Sequence, residues 1–169
     1  MTILEICGWL EATPLGTTIT ESEWLFPTIE TVHVLALTLV FGSIAFLDLR
    51  LLGLGNRNRG VVSLTSETLP FTWVGFVIAA ITGAVLFVSA ATKYYANMPF
   101  RIKLVLLALA GVNMIVFHLL GYRSVAGWDH ARQTPRAAKI AAVLSLLLWS
   151  GVLIAGRMIV FVEASHGFN

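Results

Sequence analysis

Leu69-Pro-Phe-Thr-Trp-Val-Gly-Phe-Val-Ile-Ala-Ala-Ile-Thr-Gly-Ala-Val-Leu-Phe-Val-Ser-Ala-Ala-Thr92 runs for 24 residues without one ionisable side chain. A helix needs ~20 mostly apolar residues to cross the hydrocarbon core of a bilayer, so this stretch decides the fold class. Three further stretches match it in length: Leu25 to Leu47, Leu104 to Tyr122, and Ile140 to Val162. Polar connectors rich in turn signals separate them, among them Gly55-Asn56-Arg57-Asn58-Arg59-Gly60. The expectation is an all-α protein, an integral membrane four-helix up-down bundle filling residues 1–169 as one domain.

Composition leads to the same class. Hydrophobic residues make up 57% and charged residues 12% of the 169 positions, too apolar a balance for a soluble domain to cover its own core. The net charge of +2 comes from eleven scattered Lys and Arg rather than a basic stripe, so nucleic acid is not an expected partner. The single cysteine, Cys7, rules out an intrachain disulfide and any multi-cysteine metal site. There is no phosphate-binding glycine loop, no Gly-x-Ser-x-Gly elbow and no His-Glu-x-x-His, so no catalytic motif points to an enzyme.

Short loops rich in Lys and Arg stay on the cytoplasmic side of a membrane. The first and third connectors carry seven such residues and the opposite face three, Lys93, Arg101 and Lys103. Both termini are therefore expected outside, which for a bacterial inner membrane means the periplasm. Ahead of the first span, Ile3, Ile6, Cys7 and Leu10 recur at helical spacing between Glu5 and Glu11, the pattern of a helix lying at the outer interface. Pro14 and Gly16 are expected to end it. Thr20 and Glu23 have the spacing of a capping box for the first span, with Trp24 as interfacial anchor.

The ionisable residues that lipid penalises carry the functional reading: His33, His118 and Arg157, with Glu30 and Asp48 at the edges. At 100° per residue Leu37, Val40, Ile44 and Leu51 fall within about 40° of His33, and Glu30 and Asp48 lie near 60°. One polar face of the first helix thus turns into the bundle. Arg157 aligns with Ser150 and Lys139 on the fourth helix. The second helix offers Thr72, Gly75, Ala79 and Thr82 as a small-residue face, which admits a close helix or a flat ligand. Asn113 lies opposite the His118 face, which motivates an expectation of self-association into a homo-oligomer or a larger membrane complex.

His33 and Arg157 belong to the outer half of the bilayer and His118 to the inner half. A buried neutral imidazole, a nearby arginine and a small-residue wall are what haem b uses: imidazole on iron, space for the macrocycle, a cation for the propionates. The expected ligand residues are His33, His118, Arg157 and Glu30, with His33 and His118 on the metal, in one or two haem sites. Two histidines on each side of the membrane, with His166 outer and His130 inner, accord with that division. A quinone or a periplasmic redox protein would be the electron partner. A purely structural role for the same polar residues, in a cofactor-free or small-solute or metal-handling subunit, remains the alternative. Copper held by Met98, Met114 or Met158 with histidine ranks below haem.

The order of motifs adds a resemblance. Glu30-x-x-His33, Gly42, Asp48-Leu49-Arg50-Leu51-Leu52-Gly53, Gly83, Phe100-Arg101-x-Lys103, His118 and Gly156-Arg157 resemble an uncharacterised family of small four-helix bacterial inner-membrane proteins. More distantly the chain is similar to the copper-resistance D domain and to the haem-dependent membrane protoporphyrinogen oxidase. In the oxidase family the first-span histidine ligates haem, and the resemblance carries that role to His33.

Overall fold

A computed structural model describes residues 2–54, 60–117, 119 and 134–166, with side chains of the last helix described through residue 162. The described residues form helices and no strand. Two short helices, α1 (Ile3–Glu11) and α2 (Pro14–Glu21), precede the long α3 (Leu25–Leu52) and α4 (Val61–Ser89). A six-residue α5 (Ala91–Ala96) then leads into α6 (Met98–Val116) and the final α7 (Arg136–His166). Four of these, α3, α4, α6 and α7, are long and apolar enough to cross a membrane, with mean hydropathies of 1.7 to 2.2. The four-helix membrane architecture follows.

Helix boundaries depart from the hydropathy limits because backbone caps, not charges, set them. α3 continues five residues past Leu47 to Leu52 and ends at Gly53, whose φ of 79° suits glycine. There the Gly53 N–H bonds the Arg50 carbonyl and the Leu54 N–H the Leu49 carbonyl, each at 3.0 Å, which satisfies the last turn. Asp48 and Arg50, expected at the membrane edge, are accordingly inside the helix and buried. α4 starts at Val61 and carries Pro70 within it, which removes one ladder bond without ending the helix. α6 starts at Met98, not Leu104, since Asn97 Oδ1 accepts the Phe100 N–H at 3.2 Å and Pro99 presets the first turn. Arg101 and Lys103 therefore belong to the third span.

At the chain start one expected helix is two. A Thr2–Glu5 capping box opens α1. Pro14, expected to stop a helix, instead begins α2 at its first position behind a Thr13 cap, where the missing N–H costs nothing. At Gly16 a Cβ would collide with the Glu11 carbonyl oxygen, so glycine is what lets α2 fold back on the end of α1. Thr20 does not cap α3. Its hydroxyl bonds the Gly16 and Ser89 carbonyls, and Ser22 Oγ accepts the Leu25 N–H instead.

In packing, α3 makes its most extensive contact with α4, α6 with α7, and α3 also with α7. The order around the bundle is α4, α3, α7, α6. Lipid tails are as apolar as leucine, so these seams rest on close packing. Gly75 shows it: a Cβ there would lie 3.0 Å from Val40 Cγ2 and 3.1 Å from the Ala36 carbonyl oxygen. The expected small-residue face of the second span is thus a helix-packing face. Toward the connector between α3 and α4, Leu51, Val61, Ala138 and Ala142 form a core cluster with Leu52 and Phe117 against it. Between α4 and α6 no comparable seam exists among the described residues.

Candidate functional site

The α4–α6 side of the bundle holds a cleft of about 930 Å³ in the half that bears α5, within the ~300–1,000 Å³ range of ligand pockets. Its walls are mostly apolar, with Ala79, Ala80, Gly83 and Ala84 from α4 and Gly156 from α7 giving room. Glu30, His33, Arg101, Lys103 and Arg157 supply its charged and imidazole groups. Three expected site residues, Glu30, His33 and Arg157, therefore line one space at one end of the bundle. His118, the fourth, lies outside the described residues, as does His130.

His33 is held by a specific set of contacts. Its Nδ1 lies 3.0 Å from Thr82 Oγ1. The Thr82 hydroxyl spends its own proton on the Ile78 carbonyl at 2.7 Å, so Nδ1–H is the donor and Nε2 keeps the lone pair. Gly83 makes the ring position available: a Cβ there would stand 2.9 Å from His33 Cε1. The Nε2 atom faces Lys103 Nζ at 3.4 Å, the amine donating. Lys103 in turn passes over Gly156, where a Cβ would meet its Nζ at 3.5 Å. Two glycines on different helices thus clear the path of one imidazole and one lysine.

Lys103 and Arg101, both counted among the loop cations, are site members the sequence reading missed. The signal that places them was Asn97 ahead of Pro99, a helix start five residues upstream of the lysine. Arg157 does turn into the cleft, with its Cζ 5.9 Å from the Phe161 ring centroid. No ion pair joins it to Glu30 among the described residues. Over the α5 end of the cleft Phe87, Tyr94 and Phe100 stack, with Phe100 centroids 5.5 Å from Phe87 and 5.3 Å from Tyr94. They tie α4, α5 and α6 together at that end.

Other expected polar groups are used elsewhere. Asn113 Nδ2 donates to the Ala141 carbonyl at 3.0 Å, joining α6 to α7 within the chain. Asn113, expected against a neighbouring chain, is thus engaged within the chain, on the side of α6 that packs against α7. Asp48 sits in the other half, 7% exposed, against Ser145 of α7, and its Oδ2 has no hydrogen-bond partner among the described residues. Among the described residues no group of three or more His, Cys, Asp or Glu converges in a way that could hold a metal ion.

A model of a family of unknown function, DUF6644, matches residues 7–162, and the chain belongs to that family. No curated protein and no solved structure matches it.

Proposed function

We propose that this member of the DUF6644 family is a haem b-binding integral membrane protein serving as a redox or electron-transfer subunit, with the haem in the cleft and His33 as its iron ligand. The observation that carries the reading is the fixed imidazole: Thr82 Oγ1 accepts a hydrogen bond from Nδ1–H, leaving Nε2 with a lone pair on the wall of the cleft. Ligating histidines are oriented in this way, by a hydrogen bond from the ring nitrogen that does not bind the metal.

The residues present fit the group. His33 would hold the iron, the small residues of α4 would face the macrocycle, and Arg101 and Arg157 would take the propionates. When bound, haem b supplies a one-electron iron couple whose potential follows its axial ligand and surrounding charge. The chain's own part is to orient the imidazole, keep water from it with apolar walls, and offset carboxylate charge. The resemblance of the first-span histidine to that of the haem-dependent oxidase family supports the same assignment. The basic connectors support an inner-membrane orientation with both termini in the periplasm, which sets the cleft in the outer half with a quinone or a periplasmic protein in reach as electron partner.

A second reading has one observation in its favour. Lys103 Nζ already occupies Nε2, so the pair is satisfied without a cofactor, as in a structural or small-solute subunit. The absorption spectrum of the purified protein, expressed with ample haem supply, separates the two. A Soret band that disappears in His33→Ala and survives in Arg157→Lys supports haem ligation, since lysine keeps the charge. A folded His33→Ala protein with an unchanged band, or a wild type that never carries haem, refutes it.

A further inference from the structure

The shape of the cleft says how a ligand reaches it. Toward the aqueous end it is roofed by α5 and by the Phe87, Tyr94 and Phe100 rings. Toward the middle of the bundle, Gly75 locked on Val40 and Ala36, and Gly151 on Leu106, leave α3–α4 and α6–α7 closed; Val40 and Val152 are fully buried there. Beyond the Phe87–Phe100 stack the described residues form no packed seam between α4 and α6, and there Val105 and Leu104 are exposed on α6 and Ala84 on α4. In a membrane that side faces acyl chains.

Charge gives the second half of the argument. Arg101, Lys103 and Arg157 line the cleft with one carboxylate, Glu30. Lys103 is engaged by His33, whereas among the described residues neither arginine is paired with a carboxylate. Unpaired guanidinium groups beside an apolar cavity complement an anion attached to an apolar body.

We infer that the cleft is loaded sideways from the bilayer, through the gap between α4 and α6, by a membrane-dissolved ligand that is a flat apolar carboxylate, its acid groups held by Arg101 and Arg157. The inference rests on the reading of this cleft as the binding site, and not on iron ligation by His33.

Two measurements on the full chain in lipid nanodiscs test it. In the first, a fluorophore is attached to Ala84→Cys, native Cys7 being buried. Quenching by nitroxide-bearing lipid should exceed quenching by aqueous iodide several-fold, and Phe100→Ala, which removes the central ring of the roof, should raise the iodide quenching. Iodide quenching as strong as that by the lipid nitroxide in the parent with its roof intact overturns the lateral route. In the second, metal-free protoporphyrin is compared with its dimethyl ester, so that no iron–histidine bond contributes. The acid should bind at least tenfold more tightly, with the preference lost in Arg101→Gln/Arg157→Gln. Equal binding of acid and ester overturns the charge recognition, and displacement of the acid when phosphatidylglycerol replaces phosphatidylcholine overturns it in favour of a lipid head group. If wild type binds the acid selectively yet never carries haem, the haem reading falls and this one stands.

Discussion

Two seams of α4 behave in opposite ways. Against α3 it is closed along its length: Gly75 meets Val40 and Ala36, Thr72 donates to Ser43 Oγ at 2.8 Å, and Thr82 receives His33. Against α6, among the described residues, it has only stacked rings at one end. In lipid, helices gain nothing from leaving one apolar neighbour for another, so what holds them is fit. A seam within one chain that is not fitted marks a place where the sequence has left room for something else. The polar groups agree: those in the closed seam bond one another or a backbone carbonyl, while Arg101 and Arg157 line the cleft beside the open one without a carboxylate partner among the described residues.

Substitutions can break this contrast. The largest effect is expected at Gly75→Ala, because its new methyl meets a backbone carbonyl oxygen that cannot turn aside. The α3–α4 pair must separate, at a cost of about 1–3 kcal/mol, read as a lower midpoint of unfolding when SDS is titrated into a mixed-micelle sample. Gly83→Ala, two turns along the same helix, sharpens the comparison. Its methyl meets only the His33 ring, which can swing on its own torsions at the expense of its bond to Thr82, so stability should fall by about 0.6 kcal/mol while the haem band weakens or shifts. A Gly83 variant as unstable as the Gly75 variant would mean that the cleft wall is an ordinary packing surface.

Equal or smaller effects follow. Thr72→Val removes the hydroxyl that reaches Ser43 and should cost about 0.6 kcal/mol, the average for a polar contact between membrane helices. The same measurement on Asn113→Leu, which loses the bond to Ala141, should give a similar loss and leave the mass of the detergent-solubilised protein unchanged. Leu104→Ala on the open seam should leave the unfolding midpoint where it is, within ~0.5 kcal/mol, since its side chain is 53% exposed. A large loss there would show that the gap is filled by packing after all.

Much of this arrangement was legible in the sequence. Hydropathy alone located four spans, and helical phase correctly turned His33, Val40, Leu51 and Asp48 inward, because both signals are local and periodic. What escaped was set by other forces. Hydropathy marks where charges stop and not where backbone hydrogen bonding begins, so the Asn97 cap, and Lys103 with it, fell into a loop. The His33–Lys103 contact spans 70 residues, a pairing that follows from which helices are neighbours and has no local signature. Asn113, expected against a neighbouring chain, instead bonds Ala141 of the same chain, because α7 packs on the side of α6 that bears it. The haem assignment itself rests on chemistry and resemblance, and only the spectrum decides it.

The small contacts at the chain start carry a consequence for how the molecule is made. Glu11 accepts the Thr92 N–H at 2.8 Å together with its hydroxyl, and Thr20 donates to the Ser89 carbonyl at 3.0 Å. The partners are synthesised 81 and 69 residues after the groups that bind them. During translation α1 and α2 must therefore wait at the membrane surface until the second long helix has crossed and returned its end to the same side. Only then do they dock, and only then is α5 pinned in the position from which Tyr94 joins the aromatic roof. The first segment made thus fixes the α5 end of the site, while Phe100, Lys103 and Arg157 arrive later with α6 and α7 and close the cleft around it.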